Sequence, residues 1–323
     1  MPWDSVPWFI EGSAEHSSQV ARLLAYNSVG GAEGVIGPND LRVRALAAPG
    51  QQVEVLTGAC SILNRAAGAQ YEAYAGRMIA IDKIPITPTG PAARSDLVIA
   101  RVENPYLLGE TWPQPSTPAT GPYIYTRVIS GVPAGTTSIR QVRPGDSAIT
   151  LARIDIPPNT SSVLPGYVKD LRKVARPRTE ERTYTIIGYP EYSYIDKTDG
   201  GWKNWPERAT WNLDIPDWAV TATITTNLSG LRLSINNVYV GMRHVLAGQT
   251  GAYSELDDDG GTGFRRADKL LADNFAVPAA WRGTTQTLLI QTVAMDPGRL
   301  DVNGATQVVC KVLFKEAPAQ DGA

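Results

Sequence analysis

Two histidines, two cysteines, one Gly-Asp-Ser block and an acidic glycine-rich turn are the features of this chain whose residue types suit chemistry. Histidine is the commonest general base. His16 falls in the first turn of an expected helix and His244 at the end of an expected strand. Neither belongs to an HExxH zinc signature, and the GKS or GKT ending of a phosphate loop is absent. Gly145-Asp146-Ser147 matches the nucleophile block of lipase-like esterases. That chemistry needs its serine on the turn after a buried strand, and a downstream histidine with an aspartate three residues ahead of it. Gly241 stands three residues before His244, and the block follows Arg143-Pro144, so Ser147 is expected in a plain turn.

Asp257-Asp258-Asp259-Gly260-Gly261 has a calcium-loop composition, but Thr262 and Asp268 occupy the places where an EF-hand needs glycine and glutamate. A solvated acidic turn is expected instead. The neighbouring acids Asp214 and Asp217, and Glu180 and Glu181, would serve a glycosidase only across a cleft. Cys60 and Cys310 lie far apart in apolar, β-branched surroundings, which predicts buried thiols without disulfide or metal spacing. No catalytic residue, metal or cofactor is assigned from these patterns.

The aromatics are the stronger signal. Trp202, Trp205, Trp211 and Trp218 follow closely on Tyr189, Tyr192 and Tyr194. Large aromatics fill β cores, yet exposed ones stack on sugar rings or anchor interfaces. The polar setting Gly200-Gly201-Trp202-Lys203-Asn204-Trp205-Pro206 makes Trp202 and Trp205 the candidates for exposure and for glycan contact. At the N-terminus, Trp3, Trp8, Phe9 and Ile10 form an apolar arm broken by Pro2 and Pro7. It packs either on its own domain or on a neighbouring subunit.

The elements that must position these residues are mainly β. The spacing of Val20, Leu23 and Leu24 predicts a helix over 13–28, with Ser13 as N-cap and Gly30-Gly31 as its stop. The period then becomes 2: strands are expected at 41–46, 51–56, 60–63, 71–74, 78–81, 96–102, 123–129 and 148–156. The run 96–102 is the most apolar of the set and suits a central strand or a strand-like helix. The loop 110–118, with Trp112 among three prolines, interrupts them. A short helix over 165–175 is expected to bury Val168, Leu171 and Val174. Charged, proline-bearing 176–182 marks the boundary between an N-terminal α+β domain (1–176) and a C-terminal β-sandwich or jelly-roll-like domain (184–323), with 177–183 as linker. In the second domain, strands are expected at 184–187, 210–213, 220–225, 231–235, 238–244, 286–293 and 307–314.

Composition agrees with a turn-rich β protein. Glycine and proline number 30 and 24, and charged residues are 19% of the chain where about 25% is usual. A net charge of -2 gives no electrostatic footprint for nucleic acid. No apolar run suits a membrane span, and the start lacks a signal-peptide pattern.

The blocks Ala14-Glu15-His16-Ser17, Ala21-Arg22-Leu23-Leu24-Ala25-Tyr26, Gly31-Ala32-Glu33-Gly34-Val35-Ile36-Gly37, Asp40-Leu41-Arg42-Val43 and Asn64-Arg65-Ala66-Ala67-Gly68 occur in that order. Arg94-Ser95-Asp96-Leu97-Val98-Ile99-Ala100-Arg101-Val102, Leu151-Ala152-Arg153-Ile154-Asp155-Ile156-Pro157 and Asp170-Leu171-Arg172-Lys173-Val174-Ala175 follow. Through them, residues 1–176 resemble the minor tail proteins of long-tailed bacteriophages infecting actinobacteria. The resemblance implies a virion structural role at the tail tip or baseplate, without catalytic residues, in a protein made in the host cytoplasm. It implies a homo-oligomer, a trimer or ring around the tail axis, and contacts with other tail proteins. Trp3, Trp8, Phe9, Ile10 and Trp112 are then the candidate subunit contacts. The alternative is a receptor-recognition module whose C-terminal sandwich binds host cell-wall carbohydrate through Trp202 and Trp205.

Overall fold

A computed structural model describes residues 12–318. The protein is mostly β, with one short N-terminal α-helix among the described residues. It divides into two compact units, one ending at Pro177 and one spanning Arg178–Ala317. The arm residues Trp3, Trp8, Phe9 and Ile10 lie outside the described residues.

The helix α1 (Ser18–Ser28) starts later than its apolar spacing suggests. Ser13 sits at φ +69°, in the left-handed region, so it cannot open a right-handed helix. Ser17 is the N-cap instead, its hydroxyl accepting the Gln19 N–H at 3.1 Å, and His16 precedes the helix. Leu23 and Leu24 stay exposed, and α1 packs on the sheet through its other residues.

The first unit contains β1 (Gly34–Val35), β2 (Val43–Ala45), β3 (Gln52–Val55), β4 (Gly58–Leu63), β5 (Ala73–Met78) and β6 (Asp82–Pro85). Then follow β7 (Arg94–Val102), β8 (Ile124–Val132), β9 (Ala148–Ile156) and β10 (Val168–Asp170). They form three antiparallel sheets, β1-β4-β5, β2-β3-β6 and β10-β9-β7-β8. Of the expected strand 78–81, Met78 ends β5 and 79–81 form the turn to β6. β7 is central and covered on both faces, which explains its apolar run Leu97–Ala100. Val98, Ala100 and Val102 join the core shared with β2, β3 and β4, while Leu97 and Ile99 meet Val132, Ile139 and Ala148 on the other side.

The helix expected over 165–175 is a correction. Only Pro165–Tyr167 turn, as a 3₁₀ segment, and β10 follows directly. Extended backbone puts Asp170 and Arg172 on one face, where they pair at 2.6 Å, and aims the Arg172 guanidinium at the carbonyls of Pro38 (3.0 Å) and Asp40 (2.7 Å). A helix would separate residues two apart and lose all of these bonds.

The second unit contains β11 (Thr179–Ile187), β12 (Ser193–Ile195), β13 (Lys203–Asn204), β14 (Thr210–Asp214), β15 (Thr221–Ser234) and β16 (Val238–Leu246). After them come β17 (Gln249–Thr250), β18 (Ser254–Asp258), β19 (Arg265–Ala276), β20 (Thr285–Ala294), β21 (Arg299–Val302) and β22 (Gln307–Lys315). The charged stretch taken as a linker ends at Arg178, because Thr179 to Thr183 pair with β22. Its charges alternate with the pleat, Glu180 bonding Arg182 and Glu181 reaching Lys311. The two expected strands 220–225 and 231–235 are one strand, β15, carried through an irregular register between Leu228 and Leu231.

One sheet runs β11/β12, β22/β21, β15, β19, and the other β13/β14, β20, β16, β17/β18. With each interrupted strand taken as one, the spatial orders by chain position are 1-8-3-6 and 2-7-4-5. That is the double Greek key of a jelly roll. Leu228, Leu233, Val240, Met242, Ile290 and Val308 fill one half of its core, and Ile224, Leu246, Leu288, Val312 and Phe314 the other.

Arginine and an acid two residues apart recur on a strand or at its end: Arg94/Asp96, Arg101/Glu103, Arg153/Asp155 and Glu180/Arg182. Burial alone would raise the Glu103 carboxyl, but hydrogen bonds from Arg127 and Arg101 hold it below its ordinary 4.5. Arg153 holds Asp155 below 3.8, and Arg265 holds Asp258 below 3.8. These groups take up protons at higher pH in the unfolded chain than in the fold. Their stabilisation is therefore complete above the ordinary values and lost as pH falls through the folded ones. Thermal midpoints are expected to be level near neutrality and to drop once pH passes below the 4.5–3.8 interval; a midpoint unchanged there would contradict these pairings.

Candidate functional site

The residues with catalytic potential meet in a place the sequence does not reveal. His244 on β16 sits between the two sheets of the jelly roll with no exposed surface. Its Nδ1 lies 2.6 Å from Asp273 Oδ2 on β19, and its Nε2 lies 2.8 Å from Thr226 Oγ1 on β15. Asp273 also accepts the Ala252 N–H at 3.0 Å. A carboxylate accepts, so Nδ1–H donates to Asp273, and Nε2 shares the second hydrogen bond with the Thr226 hydroxyl. Thr226 pairs across the sheet with Cys310, whose thiol burial pushes up to about 11.

The line hydroxyl–imidazole–carboxylate has the connectivity of a nucleophilic relay. Thr226, His244 and Cys310 are nevertheless fully buried, so a substrate has no approach to the hydroxyl in this conformation. In this setting the relay joins one sheet to the other. The aspartate lies 29 positions downstream of the histidine, so no local motif announces it.

The other candidates hold their own loops together. Ser147 Oγ accepts the Arg65 N–H at 2.8 Å, and Asp146 faces Arg101 at 3.2 Å, in a turn leading into β9. Asp258 takes Arg265 Nε at 2.6 Å and Gly260 N at 2.9 Å, while Asp259 takes Asn237 Nδ2 at 3.1 Å. Asp214 accepts the Thr285 hydroxyl at 2.6 Å. Among the described residues no group of three or more His, Cys, Asp or Glu is placed to hold a metal ion. Burial raises the Cys60 thiol to about 12, consistent with an inert buried cysteine.

The tryptophans separate. Trp205 is a core residue at 2% exposure, with its indole N–H on Ser193 Oγ at 3.0 Å, so it cannot contact a glycan. Its polar neighbours Lys203 and Asn204 misled because they belong to β13, which turns them outward and Trp205 inward. Trp202 is half-buried. The Arg243 guanidinium stacks 4.0 Å from its ring centroid, Tyr253 meets it edge-on at 5.9 Å, and it crowds the bare backbone of Gly241. Arg243 is fixed in turn by Gln291 Oε1 at 3.1 and 2.8 Å. The open stacking platform expected at Trp202 is thus already occupied by this chain. Trp112, also half-buried, packs under Arg101 at 4.4 Å within its own unit.

A different cleft has the features of a ligand site. Tyr74, Val102, Asn104, Tyr106, Leu107 and Tyr123 meet the first turn of α1 and Arg22 around about 670 Å³.

No family model matches the chain, and no curated protein does. Solved structures that align with it include infectious bursal disease virus, Gx strain, at 13% identity and TM-score 0.24, covering 90% of this chain and 76% of that one. The infectious bursal disease virus VP2 subviral particle aligns at 12% identity and TM-score 0.25, over 90% of this chain and 73% of that one. BuGH86 in complex with neoagarooctaose aligns at 11% identity and TM-score 0.24, over 82% of this chain and 32% of that one. Overlaps this loose do not establish a common fold.

Proposed function

We propose that the chain is a structural protein of a bacteriophage tail tip or baseplate. Its first unit docks into the tail, and its jelly roll faces outward or contacts a neighbouring tail protein. The observation that carries this reading is the meeting of the sequence blocks that resemble minor tail proteins. Val35 N–H donates to Lys173 O at 2.8 Å and Ala175 N–H to Val35 O at 2.8 Å, and Arg172 reaches Pro38 and Asp40. Ser95 Oγ donates to Asp155 at 2.8 Å. Blocks scattered over the first unit therefore form one interlocked frame, and none of them contributes to a catalytic relay.

Exposed apolar side chains support an assembled state. Ile79 is 80% exposed, and together with Ile81 and Ile124 it borders an apolar groove on the first unit. Contiguous apolar surface of this kind marks interaction sites. A homotrimer is the arrangement proposed, and double-sheet jelly rolls serve elsewhere as shell and lectin modules. The arginine stacked on Trp202 and the burial of Trp205 remove the support for a glycan site at that pair.

Gold-labelled antibody against the chain is expected at the distal tail end of purified virions. Light scattering of the isolated protein is expected to give three times the 34.8 kDa chain mass. Label confined to the shell, or absent from particles, would overturn the placement; a monomer throughout a dilution series would overturn the trimer.

A further inference from the structure

The cleft between α1 and the loop after β7 is walled by rings rather than by charge. Tyr106 is exposed and lies 6.1 Å, centroid to centroid, from Tyr123, with the two rings inclined at 56°. Tyr123 Oη donates to Pro118 O, so the 3.3 Å contact between the two hydroxyls uses the Tyr106 proton. The Tyr106 oxygen is left as an acceptor. Tyr74 forms part of the lining, its hydroxyl accepting the Asn104 amide N–H at 3.1 Å, and the Asn104 carbonyl oxygen holds the Tyr106 backbone N–H at 3.0 Å. These bonds fix the ring positions before any ligand arrives.

Electrostatics narrows the ligand class. Arg22 is the cation of the cleft, and its Nε is bonded to the carboxylate of Glu72, which also accepts Asn64 Nδ2 at 2.8 Å. At the N-terminus of α1 the Ser17 hydroxyl takes up the Gln19 N–H. With Arg22 already charge-paired, a phosphate or carboxylate ligand gains little from it. What remains is aromatic surface bordered by hydroxyl, amide and guanidinium hydrogen-bonding groups. The volume of about 670 Å³ falls within the range of small-ligand sites, about 300–1,000 Å³.

We propose that this cleft is a binding site for a neutral oligosaccharide. A pyranose lays its C–H face on Tyr106 or Tyr123, and its hydroxyls exchange hydrogen bonds with the Tyr106 oxygen, the free Asn104 amide hydrogen and the Arg22 guanidinium. The site lies wholly in the first unit and does not depend on the assembly reading.

The test is ligand-observed NMR on the full chain with three probes: cellotetraose, maltotetraose and chitotetraose. At least one is expected to bind saturably in the millimolar range, with ring-proton saturation transfer. Tyr106→Ala, at an exposed position where folding is not at risk, is expected to weaken it at least tenfold, whereas Trp202→Ala leaves it unchanged. Inorganic phosphate is expected not to compete. Absence of binding by all three probes, undiminished binding by Tyr106→Ala, or displacement by phosphate would each overturn the proposal. The particle labelling and mass measurements are independent of every one of these outcomes.

Discussion

Replacing His244 with alanine is expected to destabilise the jelly roll by about 3–5 kcal/mol, read as a lower urea midpoint with an unchanged slope. The reason is what the truncation strands. Asp273 is a nearly buried carboxylate whose remaining donor would be the Ala252 N–H, and the Thr226 hydroxyl would lose its imidazole partner. A buried group without its partner costs more than the intact bond contributes. His244→Asn should lose less, since its amide can still donate toward Asp273. The double replacement His244→Leu with Asp273→Leu should recover most of the loss, because no buried charge is then unpaired. If His244→Ala lowered the unfolding free energy by less than about 1 kcal/mol, the relay would not be joining the sheets.

That relay also marks how far the sequence can be read. Alternating apolar residues reveal β9 almost to the residue, and the apolar run Leu97–Ala100 suits a central strand such as β7. The pairing of strands distant in sequence is not written locally. β19 escaped notice because Arg265, Arg266, Asp268 and Lys269 interrupt its pattern. Charges of this kind are how an edge strand resists pairing with other chains. The helix expected over 165–175 failed for a related reason: Val168, Leu171 and Val174 have helical spacing, but the Asp170/Arg172 pair favours an extended strand.

The candidate site was less legible than the fold. Trp202 and Trp205 share one polar sequence environment, and only the pleat of β13 against β20 decides which faces inward. Trp205 N–H donates to Ile290 O at 3.2 Å, and Thr292 Oγ1 donates to Trp205 O at 2.9 Å, so neighbours nearly 90 positions away fix its burial. The tyrosine cleft assembles Arg22, Tyr74, Asn104, Tyr106 and Tyr123 from α1, β5 and a loop, with no common motif.

Gly34→Ala is the other change expected to have a large effect, about 3–5 kcal/mol from combined backbone strain and broken hydrogen bonds. Gly34 lies at φ +150°, and a Cβ there would stand 2.1 Å from the carbonyl oxygen of Lys173 and 3.0 Å from the Ala175 nitrogen. Backbone cannot swing aside as a side chain can, so β1 must part from the 173–175 segment. The bonds at stake are Val35 N–H to Lys173 O and Ala175 N–H to Val35 O. Amide exchange of Val35 and Ala175 should accelerate well before the rest of the unit opens. Gly68→Ala supplies the control, for it too has positive φ, +81°, but nothing lies within 4 Å of its added carbon. It should cost about 1 kcal/mol, the conformational part alone. Equal losses at the two glycines would mean that backbone conformation, not close approach, dominates. A much larger loss at Gly34 would establish that the frame joining residues 31–37 to 170–175 is a steric lock, held by a backbone approach that only glycine permits.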